Sequence, residues 1–166
     1  MDQKTVTQSR LRELLNYDPV SGVFTWKMSL KTTIKVGDAA GGKKPVGYLY
    51  IGIDQRIYLA HRLAWFYMTG EWPKADIDHV NGIRDDNRFC NLREATRSEN
   101  LQNKGASPSN HSGFKGVSFS KSKRRWDARI VANKKRYYLG SFGTPEEAHA
   151  AYCAAARKYH GEFSRF

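Results

Sequence analysis

The sequence predicts an α+β chain in two parts: a larger N-terminal part with a hairpin and helices, then a small three-stranded antiparallel sheet packed on one helix. Three observations carry this. A small, polar stretch broken by Pro108 runs from Lys104 to Gly113 and reads as a linker or extended arm. Strand-like runs occur on both sides of it, including a hairpin pattern in the first part. A fully signalled helix, Thr144 to Gly161, closes the second part. The expected boundaries are 1–104, a linker at 105–113, and 114–166. At 166 residues the chain fits one large domain or two small ones. A piece of roughly 60 residues can still bury a core, if marginally.

In the first part, Thr5 to Leu15 reads as a short helix. Leu11, Leu14 and Leu15 share one face, and Thr5 or Thr7 can cap it. Gly22 to Lys27 reads as a strand, and Gly37 to Gly47 as a glycine-rich loop. A hairpin follows, Tyr48–Ile53 and Arg56–Ala60, turning at Asp54-Gln55. His61 to Met68 reads as a helix ended near Gly70 and Pro73, and another helix begins near Ala95. Trp26, Trp65 and Trp72 are core candidates. His61, opening its helix, reads as a cap or packing residue rather than a catalyst.

In the second part, the strands are Lys115–Ser120, Arg125–Val131 and Arg136–Ser141. Thr144 is a natural N-cap, Pro145 sits where its missing N–H costs nothing, and Glu147 completes a capping box. Ala148, Ala151 and Ala155 allow close approach to a sheet, and Gly161 supplies the stop.

Charge narrows the function. The formal net charge is +12. Residues 1–104 hold 16 Lys/Arg against 12 Asp/Glu, and residues 105–166 hold 12 against 4, so +8 of the total lies in the shorter segment. Such a balance implies a polyanionic partner, either nucleic acid or an anionic membrane surface. No run approaches the ~18 apolar residues of a spanning helix, and the N-terminus lacks a secretory apolar core. No membrane association is therefore expected, and the location is read as cytoplasmic. Cys90 and Cys153 are far apart, which gives no cysteine-based zinc site, so no structural zinc is expected.

The segment Ile77 to Arg93, continuing through Ser98-Glu-Asn100, carries the chemistry. Asp78 and His79 are adjacent; on a regular strand they would point to opposite faces, whereas at a strand end or in a strained loop both could line one site. A carboxylate and an amide oxygen, Asp78 and Asn100, are hard ligands suited to magnesium or manganese. A neutral histidine beside such a cation can take a proton from water.

DHVNG, DDNR, NLREAT and EN, preceded by AHRLAW and TGEWP, resemble the HNH motif of phage and intron-encoded homing endonucleases over roughly residues 10–104. The resemblance implies a ββα-metal nuclease domain holding one divalent metal ion, magnesium or alternatively manganese, in a phage or bacterial-host protein. It implies Asp78 and Asn100 as metal ligands, with Asn103 a poorer candidate than Asn100. His79 becomes the general base, and Asn91 the asparagine that braces the loop. Arg84, Arg88 and Arg93 would hold neighbouring phosphates. The implied reaction is phosphodiester hydrolysis leaving a 5′-phosphate and a 3′-hydroxyl.

HSGFKGVSF, RWDARI and YYLGSFGTPEEAHAAY resemble the plant APETALA-two/ethylene-response-factor DNA-binding domain. That resemblance implies a sheet lying in the major groove of double-stranded DNA. By alternation Val117, Phe119, Trp126, Ala128, Ile130, Tyr137 and Leu139 should face the helix. Ser118, Ser120, Asp127, Arg129, Val131, Arg136 and Tyr138 should face outward. Lys115, Lys121, Lys123, Arg124 and Arg125 suit phosphate contacts. Serines stand on the first strand where plant members often carry arginines, a departure that bears on the plant sequence preference and leaves the docking mode as the resemblance implies it. The combined reading is a site-specific, homing-type DNA endonuclease. Its rivals are a DNA-binding regulator with an inactive nuclease half, and an RNA-binding protein.

Overall fold

The computed structural model describes residues 5–29, 33–107, 109–164 and 166. Pro108, on which the break in the linker rests, lies outside the described residues. The chain is mixed helix and sheet and divides into two compact units, one ending at Thr96 and one beginning at Arg97.

In the first unit, α1 (Gln8–Leu14) is shorter than the leucine pattern suggests. Thr7 is the cap, its hydroxyl accepting from Arg10 N at 3.2 Å. Leu15 leaves the helix because it opens a strand, β1 (Leu15–Asp18), which pairs antiparallel with β2 (Val23–Trp26) in the register Leu15↔Trp26. Strands β3 (Gly42–Lys43), β4 (Leu49–Ile53) and β5 (Arg56–Leu59) form the second sheet. The β4–β5 turn puts Asp54 and Gln55 at φ 47° and 65°, the left-handed pair that a two-residue hairpin demands. Helix α2 (Ala60–Thr69) ends on Gly70 at φ 80°, a left-handed C-cap. Strands β6 (Asp76–His79) and β7 (Leu92–Ala95) pair antiparallel.

One apolar core joins these elements. Leu11, Leu14 and Leu15 from the N-terminus, Phe24 and Trp26 from β2, Ile51 and Ile53 from β4, Leu63 and Phe66 from α2, and Ile77 and Leu92 beneath the candidate site are all buried together. Trp65 and Trp72 are partly buried against it.

The second unit begins with α3 (Arg97–Gln102). Strands β8 (Val117–Ser120), β9 (Arg125–Ala132) and β10 (Lys135–Phe142) form an antiparallel sheet in the order β10-β9-β8. Helix α4 (Pro145–His160) carries the complete capping box. Thr144 Oγ1 accepts from Glu147 N at 3.2 Å, and the Glu147 carboxylate accepts from Thr144 N at 3.3 Å. Gly116, at φ 75°, is what lets the entry to β8 approach α4. A Cβ there would lie 2.2 Å from the Tyr152 ring and 2.7 Å from the Arg129 carbonyl.

Alternation sorts most of this sheet correctly. Val117, Ala128 and Ile130 are buried with Ala148, Tyr152 and Ala156 of α4. Two positions depart from it. Phe119 is 50% exposed; it meets Trp126 edge-on at 5.0 Å instead of joining the cluster on α4. Asp127 belongs to the outward face yet is only 2% exposed, because neighbouring side chains fold over its carboxylate. No helix among the described residues is long and apolar enough to cross a membrane.

Candidate active site and nucleic-acid interface

Asp78 and His79 end β6, and both are buried, at 5% and 4% exposure. Asp78 lies directly across from Arg93 of β7. The Arg93 guanidinium donates from Nε (3.0 Å) and Nη2 (2.9 Å) to Asp78 Oδ2. A buried carboxylate requires a compensating cation, and here the facing strand supplies one. Arg93 is therefore engaged at the foot of the site rather than displayed on the surface.

The loop from Val80 to Asn91 is tied across its base by Asn91. Its side chain accepts from Asn81 N (3.0 Å) and donates to Asn81 Oδ1 (3.0 Å) and to the Asp86 carbonyl (2.8 Å). Its own carbonyl accepts from Val80 N at 2.9 Å. Each bond closes the loop on itself, which is the geometry of a brace. Asp86 is forked by Arg88, with Nε at 2.8 Å and Nη2 at 2.6 Å, and this pairing lowers its carboxyl pKa to about 2. Arg84 donates to the Val46 carbonyl at 2.7 Å and lies over the Tyr48 ring at 5.1 Å. Arg84 and Arg88 remain exposed.

His79 sits among side chains that the sequence did not mark. Its Nε2 lies 3.2 Å from Asn87 Oδ1. An amide oxygen can only accept, so Nε2 carries the ring proton and Nδ1 carries the lone pair. Burial pulls the His79 pKa below the usual imidazole range, opposed chiefly by the hydrogen bond to Asn87 and the charge of Asp78. The ring is therefore neutral near pH 7 and able to accept a proton.

His61 of α2 meets His79 edge to face at 5.0 Å, and Tyr48 lies 5.2 Å from His61 and 6.0 Å from His79. His61 makes no cap for α2. It is 5% exposed, its Nδ1 has no hydrogen-bond partner among the described residues, and burial, followed by repulsion from His79 when that ring is charged, lowers its pKa to about 3. It is a packing residue of the site held uncharged. Asn87 stood inside the motif, but nothing in its spacing marks it as the partner of His79. His61 takes the packing role of its sequence reading and not the cap.

Asn100 is half-buried on α3, in the second unit. Asn103 is buried, with its backbone N–H on the Glu99 carbonyl at 3.0 Å. Among the described residues no three His, Cys, Asp or Glu side chains converge as a metal cluster. A cation here would draw on one carboxylate plus amide, water and phosphate oxygens, the hard donor set that magnesium and manganese accept.

The outward face of the second unit's sheet is basic. Lys121, Lys123, Arg124 and Arg125 are exposed at and beside the β8–β9 turn, and Ser118, Arg129, Arg136 and Tyr138 are exposed on the strands; Ser120 is half-buried. Asp127 lies at the centre of this face. It accepts from Arg129 Nη2 (2.8 Å), Tyr138 Oη (3.3 Å), Lys123 Nζ (3.5 Å) and Ser141 Oγ. These donors hold its carboxyl below the ordinary range, the Ser141 hydroxyl most of all. Lys115 turns inward, its Nζ donating to the Gln102 carbonyl at 2.5 Å.

Residues 58–102 match a family of HNH endonucleases, and residues 112–162 match the AP2 domain. Protein 3.8 of Escherichia phage T7 is 35% identical over 107 residues, which are 64% of this chain and 88% of that relative. The chain belongs to the HNH endonuclease family, with an AP2 domain attached. The AP2-like ethylene-responsive transcription factors ANT and AIL7 of Arabidopsis thaliana are 50% and 48% identical over 50 residues. This chain spans only 9% and 10% of their lengths, so the likeness is to one module of each. An HNH part and an AP2 part together make this a DNA nuclease or DNA-binding protein. The HNH match begins at Tyr58, within β5, and so includes α2 and His61 as well as the Asp78-His79 strand.

Proposed function

We propose that this protein is a metal-dependent, site-specific endonuclease of the homing type that acts on double-stranded DNA in the cytoplasm of a phage-infected or bacterial cell. It hydrolyses a phosphodiester bond to leave a 5′-phosphate and a 3′-hydroxyl. The observation that carries the reading is a buried imidazole beside a buried carboxylate, its Nε2 3.2 Å from Asn87 Oδ1 and its pKa lowered by burial.

In this reading β6, β7 and α3 form the ββα-metal unit, on their order in the chain. Asp78 and Asn100 hold one divalent cation, magnesium or manganese. When bound, that cation neutralises charge on the phosphoryl oxygens and the departing 3′ oxygen. His79 Nδ1 takes a proton from the attacking water, becoming imidazolium while the oxygen bonds to phosphorus and the P–O3′ bond breaks, and the departing 3′ oxygen takes a proton from solvent. Asn91 keeps the loop closed around the site, and the exposed Arg84 and Arg88 serve flanking phosphates, while Arg93 stays paired with Asp78. The AP2 sheet lies in the major groove and chooses the sequence. Ser118, Ser120, Arg129, Arg136 and Tyr138 meet base edges, and Lys121, Lys123, Arg124 and Arg125 meet phosphates, while Lys115 is held by the Gln102 carbonyl.

The test is cleavage of supercoiled and linear duplex DNA with magnesium, comparing wild type with His79→Ala. Cleavage should fall by at least ~10²-fold, the scale of general-base loss, with DNA affinity unchanged. A His79→Ala protein that cuts normally refutes the assignment. A wild type that binds duplex but never cuts it would point to a regulator with an inactive nuclease half.

A further inference from the structure

The β1–β2 hairpin lies outside the residues matched to the HNH family, yet three of its contacts converge on the segment that carries Asn87. Tyr17 donates its hydroxyl to the Asn87 carbonyl at 2.6 Å, and both residues are buried. Phe89 N donates to the Pro19 carbonyl at 3.1 Å. Gly22, at φ 75°, lies so close that a Cβ would sit 2.4 Å from Arg88 N and 2.5 Å from the Asn87 carbonyl carbon. Three consecutive residues, 87 to 89, are thus held by the hairpin.

What this hold secures is the aim of one side chain. Asn87 is 1% exposed, and its Nδ2 has no hydrogen-bond partner among the described residues. A buried donor left unpaired costs stability, so packing alone gives no reason for an amide here. Its one side-chain contact of consequence is Oδ1 to His79 Nε2. The hairpin also keeps Tyr17 in place independently of its hydroxyl. The Tyr17 ring packs on Phe24 at 4.7 Å and on Tyr67 at 5.7 Å.

We infer that Tyr17 and the β1–β2 hairpin are positioning elements for the general base: by fixing the Asn87 backbone they keep Oδ1 on His79 Nε2, which orients the ring and holds it in the Nε2–H tautomer. The inference rests on the reading of His79 as the base. In a neutral imidazole the partner of one nitrogen decides which nitrogen is protonated. A displaced Oδ1 would admit the Nδ1–H tautomer, in which Nε2 carries the lone pair.

Two measurements on the full chain test this. Nitrogen-15 NMR of the histidine rings should find His79 predominantly Nε2–H in the wild type and a mixture of tautomers in Tyr17→Phe. Tyr17→Phe keeps the ring packing and removes one hydrogen bond, so kcat for duplex cleavage should fall by about tenfold with KM unchanged, the scale of losing one such bond. Asn87→Ala should lose more of both signals. An Nδ1–H majority in the wild type overturns the inference without any variant, and so does a Tyr17→Phe protein with wild-type tautomer and kcat. If His79→Ala still cleaves, the base assignment fails instead, and the tautomer measurement separates that case.

Discussion

Lowering the pH from 7 to 5 should cost the first unit stability through His61 before any carboxylate titrates. Its pKa is about 3 in the fold, against an unfolded value near 6.5. The folded state therefore binds fewer protons than the unfolded state between those values, and stability falls as pH drops below 6.5. At 1.36 kcal/mol per pH unit, the loss from His61 alone is about 2 kcal/mol by pH 5. The carboxyls of Asp18, Asp54, Asp85, Asp86 and Asp127 are lowered, so their contributions are lost only as pH falls below about 4. The window from 7 to 5 thus isolates the histidines. His61→Phe keeps a ring of similar shape against Tyr48 and His79 and removes the titrating group. The assay is denaturant unfolding followed by tryptophan fluorescence, since Trp26, Trp65 and Trp72 all report on the first unit. The wild type should lose about 2 kcal/mol more than His61→Phe between pH 7 and 5, with the residual slope set largely by His79. Equal losses in the two proteins would refute the argument that burial holds His61 neutral.

Two further outcomes follow from the sites. Asp78→Ala or Asn100→Ala should raise the magnesium concentration for half-maximal cleavage by at least about tenfold, and zinc should support cleavage poorly because the donors are oxygens; a metal titration of cleavage reads both. On the AP2 sheet, Arg129→Ala should relax base preference by about 1–3 kcal/mol at one position of the target. Lys121→Ala should instead weaken all duplexes alike and reduce the salt slope by about one. Competition binding over a range of salt distinguishes the two.

Local signals proved reliable where a single residue's chemistry decides the backbone. The Thr144–Pro145–Glu147 box, the Asp54-Gln55 turn and the Gly70 stop are all formed as expected. The strand alternation placed Val117, Ala128 and Ile130 against α4, because a period of two leaves little choice once one face is apolar. It misread Asp127 because alternation reports which face a residue occupies. Whether Arg129, Lys123, Tyr138 and Ser141 then cover that face depends on neighbours from another strand and a turn. It missed β1 for a related reason. Leu15 continues a helical leucine pattern, and only pairing with Trp26 draws it into a strand.

The sequence by itself determined the basic charge of the second part and the spacing of Asp78, His79, Asn91 and Asn100, since these depend on residue type and order along the chain. Tertiary structure decided which groups surround His79. Asn87 reaches His79 from eight residues away, His61 from eighteen, and Tyr17 acts through Asn87 from seventy. Such meetings have no sequence period, because they arise where separate elements bury their surfaces in one core. Pairing Asp78 with Arg93 likewise required the β6–β7 register, in which a shift of one residue would carry the guanidinium to the other face.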